Sequence, residues 1–278
     1  AEAQSRGKLR GMGIASVIEI AGGPLPIPNE ESAAVRFDTD GGVSVLMGTH
    51  SHGQGHETAF AQIASEKLGV PFDSIRVQYG DTDLVHHGKG TFGSRSISVG
   101  GAALQRASEK IIERARKIAA HLLEAAEDDI TFDDGVFTVS GTDREISLIE
   151  VAKTSYQAAK MPRELEMGLP GPTYPNGCHV SEVEIDPETG VVEMITYTVV
   201  DDVGVALNPM MVKGQVHGGV VQGAGQVLLE QVVYDPDSGQ LLTGSFMDYA
   251  MPRADNFPSF DVIEHNGGRS ACCHERDL

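Results

Sequence analysis

A glycine-rich turn near the start of the chain lies between a strand-like segment and an amphipathic one. Val43–Met47 is the apolar run typical of a strand, Gly48 to Gly55 forms the turn, and a helix is expected from about His56 to Leu68. Ile75–Tyr79 predicts the next strand. Such a strand–turn–helix–strand unit predicts a mixed α/β domain, with helices packed on twisted mixed sheets.

The charge balance restricts the possible partners. The 278 residues carry 21 Lys+Arg against 40 Asp+Glu, a net charge of −19. This acidity argues against nonspecific binding to nucleic acid or to anionic membranes, because both need basic surfaces. No stretch approaches the ~20 apolar residues of a membrane span. Three cysteines cannot form a disulfide framework, so we expect reduced thiols and a cytoplasmic protein.

The first candidate site is the turn Gly53 to Thr58, which reads GQGHET. Glycines let the backbone approach a ligand closely, and the following helix directs main-chain N–H groups toward it. A phosphate or the edge of a pterin would suit this turn. The alternative is a purely structural turn. Thr58 replaces the third glycine of the dinucleotide fingerprint, which disfavours a nicotinamide cofactor.

Three histidines around the same turn raise the possibility of a metal site. His50, His52 and His56 are closely spaced, but catalytic zinc needs three protein ligands, and no acidic partner is placed by the spacing. We therefore interpret them as loop histidines and predict no metal ligands among them.

The second candidate site is the segment Gly90 to Ser96, GTFGSRS, which precedes a long helix expected over Ser98–Ala126. Small residues, hydroxyl groups and Arg95 at a helix start are typical of an anion-binding nest. The alternative is a flexible loop with a serine N-cap. Two such turns in one chain favour a large anionic ligand.

The third candidate site is a helix expected from Asn208 to about Glu230, which contains several glycines. Each interior glycine costs about 0.5–1 kcal/mol relative to alanine. Such a helix is favoured where another helix or a flat cofactor must approach its backbone, and the pattern does not separate these two. Gln215 and Gln222 lie two turns apart on one face, so both amides could contact one ligand.

The remaining pattern predicts three hairpins and a short helix. Turns are expected at Asp134-Gly135, at Asp186 to Gly190 and at Asp235 to Gly239, and Ser147 with Glu150 forms a capping box. Residues 1–11 are interpreted as the end of an upstream helix or linker. Residues 12–266 are expected to form the domain, and residues 267–278 a tail outside it.

Five segments read in order resemble one family. They are GQGHETAFAQI (53–63), GTFGSRS (90–96), YPNGCHVSEVEIDPETG (174–190), NPMMVKGQVHGGVVQGAGQ (208–226) and LTGSFMDYAMPRAD (242–255). Together they resemble the xanthine dehydrogenase/aldehyde oxidase family of molybdenum hydroxylases, and especially the large subunit of the carbon-monoxide-dehydrogenase-like enzymes. The resemblance implies the second molybdenum-cofactor-binding domain of a longer subunit.

The resemblance implies a bound molybdopterin dinucleotide in its cytosine form. Carried over by position, its contacts are Gln54, Gly55, His56, Thr58, Phe92, Gly93, Ser94, Arg95, Ser96, Gln215 and Gln222. It also implies a [2Fe-2S] small subunit and an FAD medium subunit in a dimer of heterotrimers. The implied reaction is oxidation of an aldehyde, an N-heterocycle or carbon monoxide, with water as the oxygen source.

The end of the sequence departs from the family pattern. The family's catalytic glutamate lies in a KGxGE motif that should follow FMDYAMPRAD, whereas this sequence continues into Gly267 to His274 and ends at Leu278. No catalytic residue is therefore assigned. We expect a fragment of the catalytic subunit that is inactive by itself. The alternative is a noncatalytic remnant or assembly module.

Overall fold

The computed structural model describes residues 2–22, 30–158, 166–168 and 172–264. The expected tail, residues 267–278, lies outside the described residues. The chain divides into two compact units. The first contains the described residues up to Glu19 and those from Pro175 onward, and the second is built from Ile20–Tyr174. In the described parts of the chain, no helix combines the length and apolar character needed to cross a membrane.

Helices are interspersed with runs of strands along the described chain. The helices are α1 (Glu2–Ser5), α2 (His56–Leu68), α3 (Ala102–Leu122), α4 (Leu148–Ala158) and α5 (Pro209–Leu228). The strands are β1 (Leu9–Ile18), β2 (Glu31–Phe37), β3 (Val43–Met47), β4 (Ile75–Gln78), β5 (Ile130–Asp133), β6 (Val136–Val139), β7 (Glu145–Ser147), β8 (Glu166–Gly168), β9 (Asn176–Ile185), β10 (Val192–Asp202) and β11 (Phe260–Glu264).

The second unit is centred on a four-stranded mixed sheet in the order β4-β3-β2-β8. Strands β3 and β4 are parallel and are connected through α2, whereas β2 runs antiparallel to β3. Every residue of β3 is buried, as expected for a continuous apolar strand covered on both faces. The predicted strand–turn–helix–strand unit is confirmed, and Gly69, in a left-handed conformation, ends its helix.

Helix α3 supplies much of the core of the second unit. Its buried face repeats at three- and four-residue spacing through Leu104, Ala107, Ile111 and Ala115, which is the period of an amphipathic helix. The α-helix is shorter than expected at both ends. It is preceded by a π-helix over Ser96–Gly101 and ends at Leu122.

A small antiparallel sheet, β5-β6-β7, completes the second unit. Asp134 and Gly135 both have positive φ, 42° and 77°, as the predicted two-residue hairpin turn requires. The predicted capping box is also present. The Ser147 hydroxyl accepts a hydrogen bond from the Glu150 amide at 3.2 Å, and the Glu150 carboxylate accepts one from the Ser147 amide at 3.1 Å.

The first unit is built on the sheet β1-β9-β10-β11. The predicted hairpin between β9 and β10 is confirmed, and β11 lies parallel to β10. Strand β1 pairs with β9 and is exposed along its whole length. Helix α5 begins as predicted, with the Asn208 side chain accepting the Met211 amide at 3.1 Å. Helix α1 covers only Glu2–Ser5.

Candidate functional site

The first predicted turn leads directly into the N-terminus of α2. Gly53 and Gly55 have φ values of 101° and 78°, a region that glycine enters without steric cost. Gly55 is the N-cap residue. Since glycine has no side chain to accept the first amides of the helix, these main-chain donors and the positive end of the helix dipole suit an anion. Gln54 and Thr58 are partly exposed beside them.

The second predicted segment is a tight, exposed turn before the π-helix. Gly90, Gly93 and Ser94 have φ values of 86°, 55° and 54°. Ser94 is therefore a non-glycine residue in the left-handed region, a conformation concentrated at functional sites. Phe92, Gly93 and Ser94 are exposed, whereas Ser96 is buried.

The structure brings these two segments together. The Thr91 hydroxyl accepts the His50 amide at 3.0 Å and donates to the His50 carbonyl at 2.6 Å. Two residues before His50, the Gly48 carbonyl accepts a hydrogen bond from the Gly90 amide at 3.2 Å. The Thr91 and Ser96 hydroxyls lie 3.1 Å apart. The two loops therefore form one hydrogen-bonded surface, as the prediction of a shared large ligand requires.

The anion-binding nest expected from the sequence would direct the Arg95 guanidinium toward the ligand. The structure directs it into the protein instead. Its side chain is fully buried and paired with Glu31, which is also fully buried. It donates to the Gly90 carbonyl at 2.7 Å and to the Glu30 carbonyl at 2.6 Å. Its charge is therefore compensated inside the protein, and its guanidinium is not among the exposed groups of the nest.

Phe92 contacts the same guanidinium. The Cζ atom of Arg95 lies 5.1 Å from the centroid of the Phe92 ring, within the range of a cation–π interaction. The Phe92 side chain remains 43% exposed. The ring is thus held against the buried pair while one part of it stays available to a ligand.

His56, the first residue of α2, is buried within the turn. Its side chain is 3% exposed, and its ring centroid lies 5.1 Å from that of Phe60. Among the described residues its Nδ1 atom finds no hydrogen-bond partner. Burial lowers the pKa of His56, although the neighbouring Glu57 acts in the opposite direction. The imidazole is therefore held neutral at the start of the helix.

Aromatic and carboxylate groups flank the turn. The Tyr79 hydroxyl donates to the Glu57 carboxylate, which lowers the pKa of Glu57 and raises the pKa of Tyr79. His50 packs edge-on against Tyr79, with ring centroids 5.3 Å apart, and lies 4.8 Å from His52. Within the described ranges, no group of three His, Cys, Asp or Glu side chains is arranged to hold a metal ion.

The glutamines of the third predicted segment belong to the first unit. Gln215 and Gln222 are exposed on α5. A Cβ atom added to Gly219, between them on the same face, would meet nothing within 4 Å. The backbone of this face is therefore open to close approach. Both loops belong to the second unit, so the structure groups two of the three predicted segments.

Glu31 is the residue that inspection of the sequence missed. Its partner Arg95 lies 64 residues further along the chain, and a glutamate that follows another glutamate at the start of a strand carries no pattern that would identify it. The glycine turns carry main-chain amides, and Thr58 and Ser94 add hydroxyl groups. Donors of these kinds can bind an anion.

Comparison with known proteins gives the same family. Residues 1–258 match the family model described as the molybdopterin cofactor-binding domain. The chain is 38% identical to the nicotine 6-hydroxylase large subunit of Paenarthrobacter nicotinovorans and 39% identical to the carbon monoxide dehydrogenase large chain of Afipia carboxidovorans. Each alignment covers 94% of this chain and 34% of the relative. The chain thus spans about a third of the length of these relatives.

Solved structures show the same mixed α/β fold. Quinoline 2-oxidoreductase from Pseudomonas putida 86 matches with a TM-score of 0.84 at 35% identity, over 97% of this chain and 37% of that one. Carbon monoxide dehydrogenase from Oligotropha carboxidovorans also matches with a TM-score of 0.84 at 35% identity, over 98% of this chain and 36% of that one. The chain therefore belongs to the molybdopterin cofactor-binding domain family of the molybdenum hydroxylases.

Proposed function

We propose that this chain is the cofactor-binding part of the catalytic subunit of a molybdenum-dependent oxidoreductase. Its substrate class is carbon monoxide, an aldehyde or an N-heterocycle, oxidised with water as the oxygen source. Family membership supports the proposal, as do the relatives named for oxidation of carbon monoxide and hydroxylation of nicotine. When bound, the molybdenum cofactor supplies the two-electron redox chemistry.

The observation that carries the proposal is the pairing of the two loops at a helix N-terminus. The hydrogen bonds of Thr91 to the backbone of His50 join the two loops, and each candidate turn follows its bonded residue within three positions of the sequence. We propose that their main-chain amides bind the phosphate groups of molybdopterin cytosine dinucleotide. The proposed contacts are Gln54, Gly55, His56, Thr58, Phe92, Gly93, Ser94 and Ser96, together with Gln215 and Gln222 on α5.

The chain's own residues have three roles in this proposal. The glycines allow the close approach of an anion, the neutral imidazole of His56 keeps the helix start free of added charge, and Arg95 shapes its loop from inside. The exposed Phe92 ring offers a flat apolar surface to the ligand.

The proposed complex contains further subunits. Relatives are named as a large subunit, a large chain and a subunit of a dehydrogenase complex. This naming supports the presence of partner subunits. We propose that they are an iron–sulfur small subunit and an FAD medium subunit, in a dimer of heterotrimers, as the family resemblance implies. We place the complex in the cytoplasm, in keeping with the small number of cysteines in the sequence.

The test is the cofactor content of the 278-residue chain, produced in a host that makes the cytosine form of the cofactor. We expect molybdenum and cytidine monophosphate to be released in equal amounts from the wild-type chain. Ser94→Asp should lower both, because it adds a negative charge at an exposed loop tip whose backbone conformation aspartate tolerates.

The matched control is Ser140→Asp, which adds the same charge at an exposed position beside the small sheet. It should leave the cofactor content unchanged. A folded wild-type chain without molybdenum or pterin would contradict the proposal and favour the noncatalytic assembly module. Equal losses in the two variants would contradict the assignment of the loop.

A further inference from the structure

A single buried carboxylate contacts both candidate loops. Glu31 is the first residue of β2 and is 0% exposed. Its Oε1 atom accepts the Ser32 amide at 3.0 Å and the Lys89 amide at 3.1 Å, and its Oε2 atom accepts Arg95. The carboxylate thus links the start of β2 to Lys89, the residue before the second loop, and to Arg95, the only arginine of that loop.

Arg95 extends this connection. Its two terminal nitrogens donate to the Gly90 carbonyl at 2.7 Å and to the Glu30 carbonyl at 2.6 Å. The guanidinium therefore links Gly90, at the beginning of its own loop, to Glu30, the residue that precedes β2. Since both charges are fully buried, solvent screens their interaction little.

The first loop is packed against the same carboxylate. A Cβ atom added to Gly48, where this loop begins, would lie 2.1 Å from Glu31 Oε1. A Cβ atom added to Gly88 would lie 2.5 Å from the Cα atom of Gly48. The backbones at Gly48 and Gly88 are therefore in contact beside the carboxylate, and no side chain fits between them.

We propose that Glu31 and Arg95 are positioning residues that fix the spacing of the two loops for cofactor binding. This inference rests on the proposed function of those loops. Neither charged group lies at the exposed loop tips, so neither contacts the ligand; each acts through the main chain that it holds. Residues that orient ligand-binding groups in this way commonly control affinity as strongly as the direct contacts.

The alternative is that the pair only stabilises the fold. A buried pair can often be replaced by neutral side chains without loss of stability, whereas removing one partner leaves an uncompensated charge. Stability and positioning can therefore be separated by comparing a single variant with a double one.

The test compares Glu31→Gln with Glu31→Gln/Arg95→Met in the 278-residue chain. The single variant should lower the urea midpoint because it leaves the buried Arg95 charge uncompensated. The double variant should recover most of that loss because no buried charge remains, although the Gly90 and Glu30 carbonyls lose their donor. Both variants should lose cofactor, measured as molybdenum and as pterin fluorescence, by about ten- to hundredfold, the loss typical when orienting residues are removed.

Phe137→Ala is the control. Phe137 is fully buried in β6, in the small sheet, so its truncation lowers the urea midpoint through the core alone and should retain the cofactor in the folded fraction. A double variant that recovers its midpoint and also binds cofactor like the wild type would overturn the positioning role.

Amide hydrogen exchange distinguishes this failure from a failure of the proposed function. In cofactor-free protein, amides 89–96 should exchange faster in both Glu31 variants than in the wild type, while α3 is unchanged. If the wild type binds no cofactor, the proposed function fails and the cofactor role of the pair fails with it. If the wild type binds cofactor and loop exchange is unaltered in the variants, the positioning role alone is wrong.

Discussion

Arg95 and His56 show how the candidate site depends on individual side chains. Both lie in glycine-rich segments and both are buried. Arg95 has a buried counter-charge, whereas His56 has no hydrogen-bond partner at Nδ1 among the described residues, and burial lowers its pKa. Neither of these two side chains therefore belongs to the exposed surface of the loops.

The first prediction at the residue scale concerns pH. Burial lowers the pKa of His56 in the folded chain, whereas in the unfolded chain the imidazole has its ordinary pKa of about 6.5. Below pH 6.5 the unfolded chain therefore binds a proton that the folded chain does not. The unfolding free energy keeps its full value above this pH and falls as the pH drops toward the lowered folded-state pKa. His56→Gln should remove this part of the pH dependence of the unfolding free energy, measured by urea titration.

The control for this prediction is His86→Gln, at an exposed histidine in the loop that precedes Gly90. This variant should keep the wild-type slope of unfolding free energy against pH in the same window. An unchanged slope in His56→Gln would mean that the lowered pKa of His56 does not contribute to the pH dependence of stability.

At the scale of elements, α5 shows a conflict between helix stability and ligand access. Replacing Gly219 by alanine should raise the unfolding free energy by about 0.5–1 kcal/mol, because the added Cβ meets no neighbour and alanine favours the helix. If this face receives the cofactor between Gln215 and Gln222, the same variant should bind less molybdenum. Unfolding titrations and metal analysis of one preparation measure both effects.

Gly225→Ala is the matched substitution on the same helix. Its Cβ would lie 2.4 Å from Glu230 Oε1 and 2.9 Å from Pro252 Cγ, so this variant should be less stable than the wild type. A Gly219→Ala variant that is more stable and binds cofactor fully would show that this helix face does not approach the cofactor.

Local signals predicted much of the fold. The unit β3–α2–β4 was predictable because its apolar run, glycine turn and amphipathic helix are continuous in sequence. The same holds for the hairpin at Asp134-Gly135 and for the capping box of Ser147 and Glu150, whose partners lie within three residues of each other.

The rest depends on contacts that are distant in sequence. The expected helix from Ser98 begins instead as a π-helix at Ser96, in which the Arg95 carbonyl accepts both the Val99 and the Gly100 amides. A Cβ on Gly100 would lie 2.9 Å from Thr49 Cγ2, so the first loop restricts the backbone there. The role of Arg95 was equally hidden, because it depends on Glu31 in another strand.

At the scale of the whole molecule, apolar side chains are exposed mainly in the first unit. Ile18, Val227, Phe246 and Met247 are 72%, 81%, 85% and 92% exposed. Burial of such side chains against another protein surface is favourable. Their number in the first unit is in keeping with the proposed association with other subunits.

The most direct measurement of the central claim is amide hydrogen exchange of the chain with and without molybdopterin cytosine dinucleotide. We predict that the cofactor slows exchange at residues 53–58 and 92–96, because their amides donate to its phosphate groups, and leaves the small sheet β5-β6-β7 unchanged. Bound cofactor without protection of either loop would contradict the account, since the paired loops would then not be the binding site.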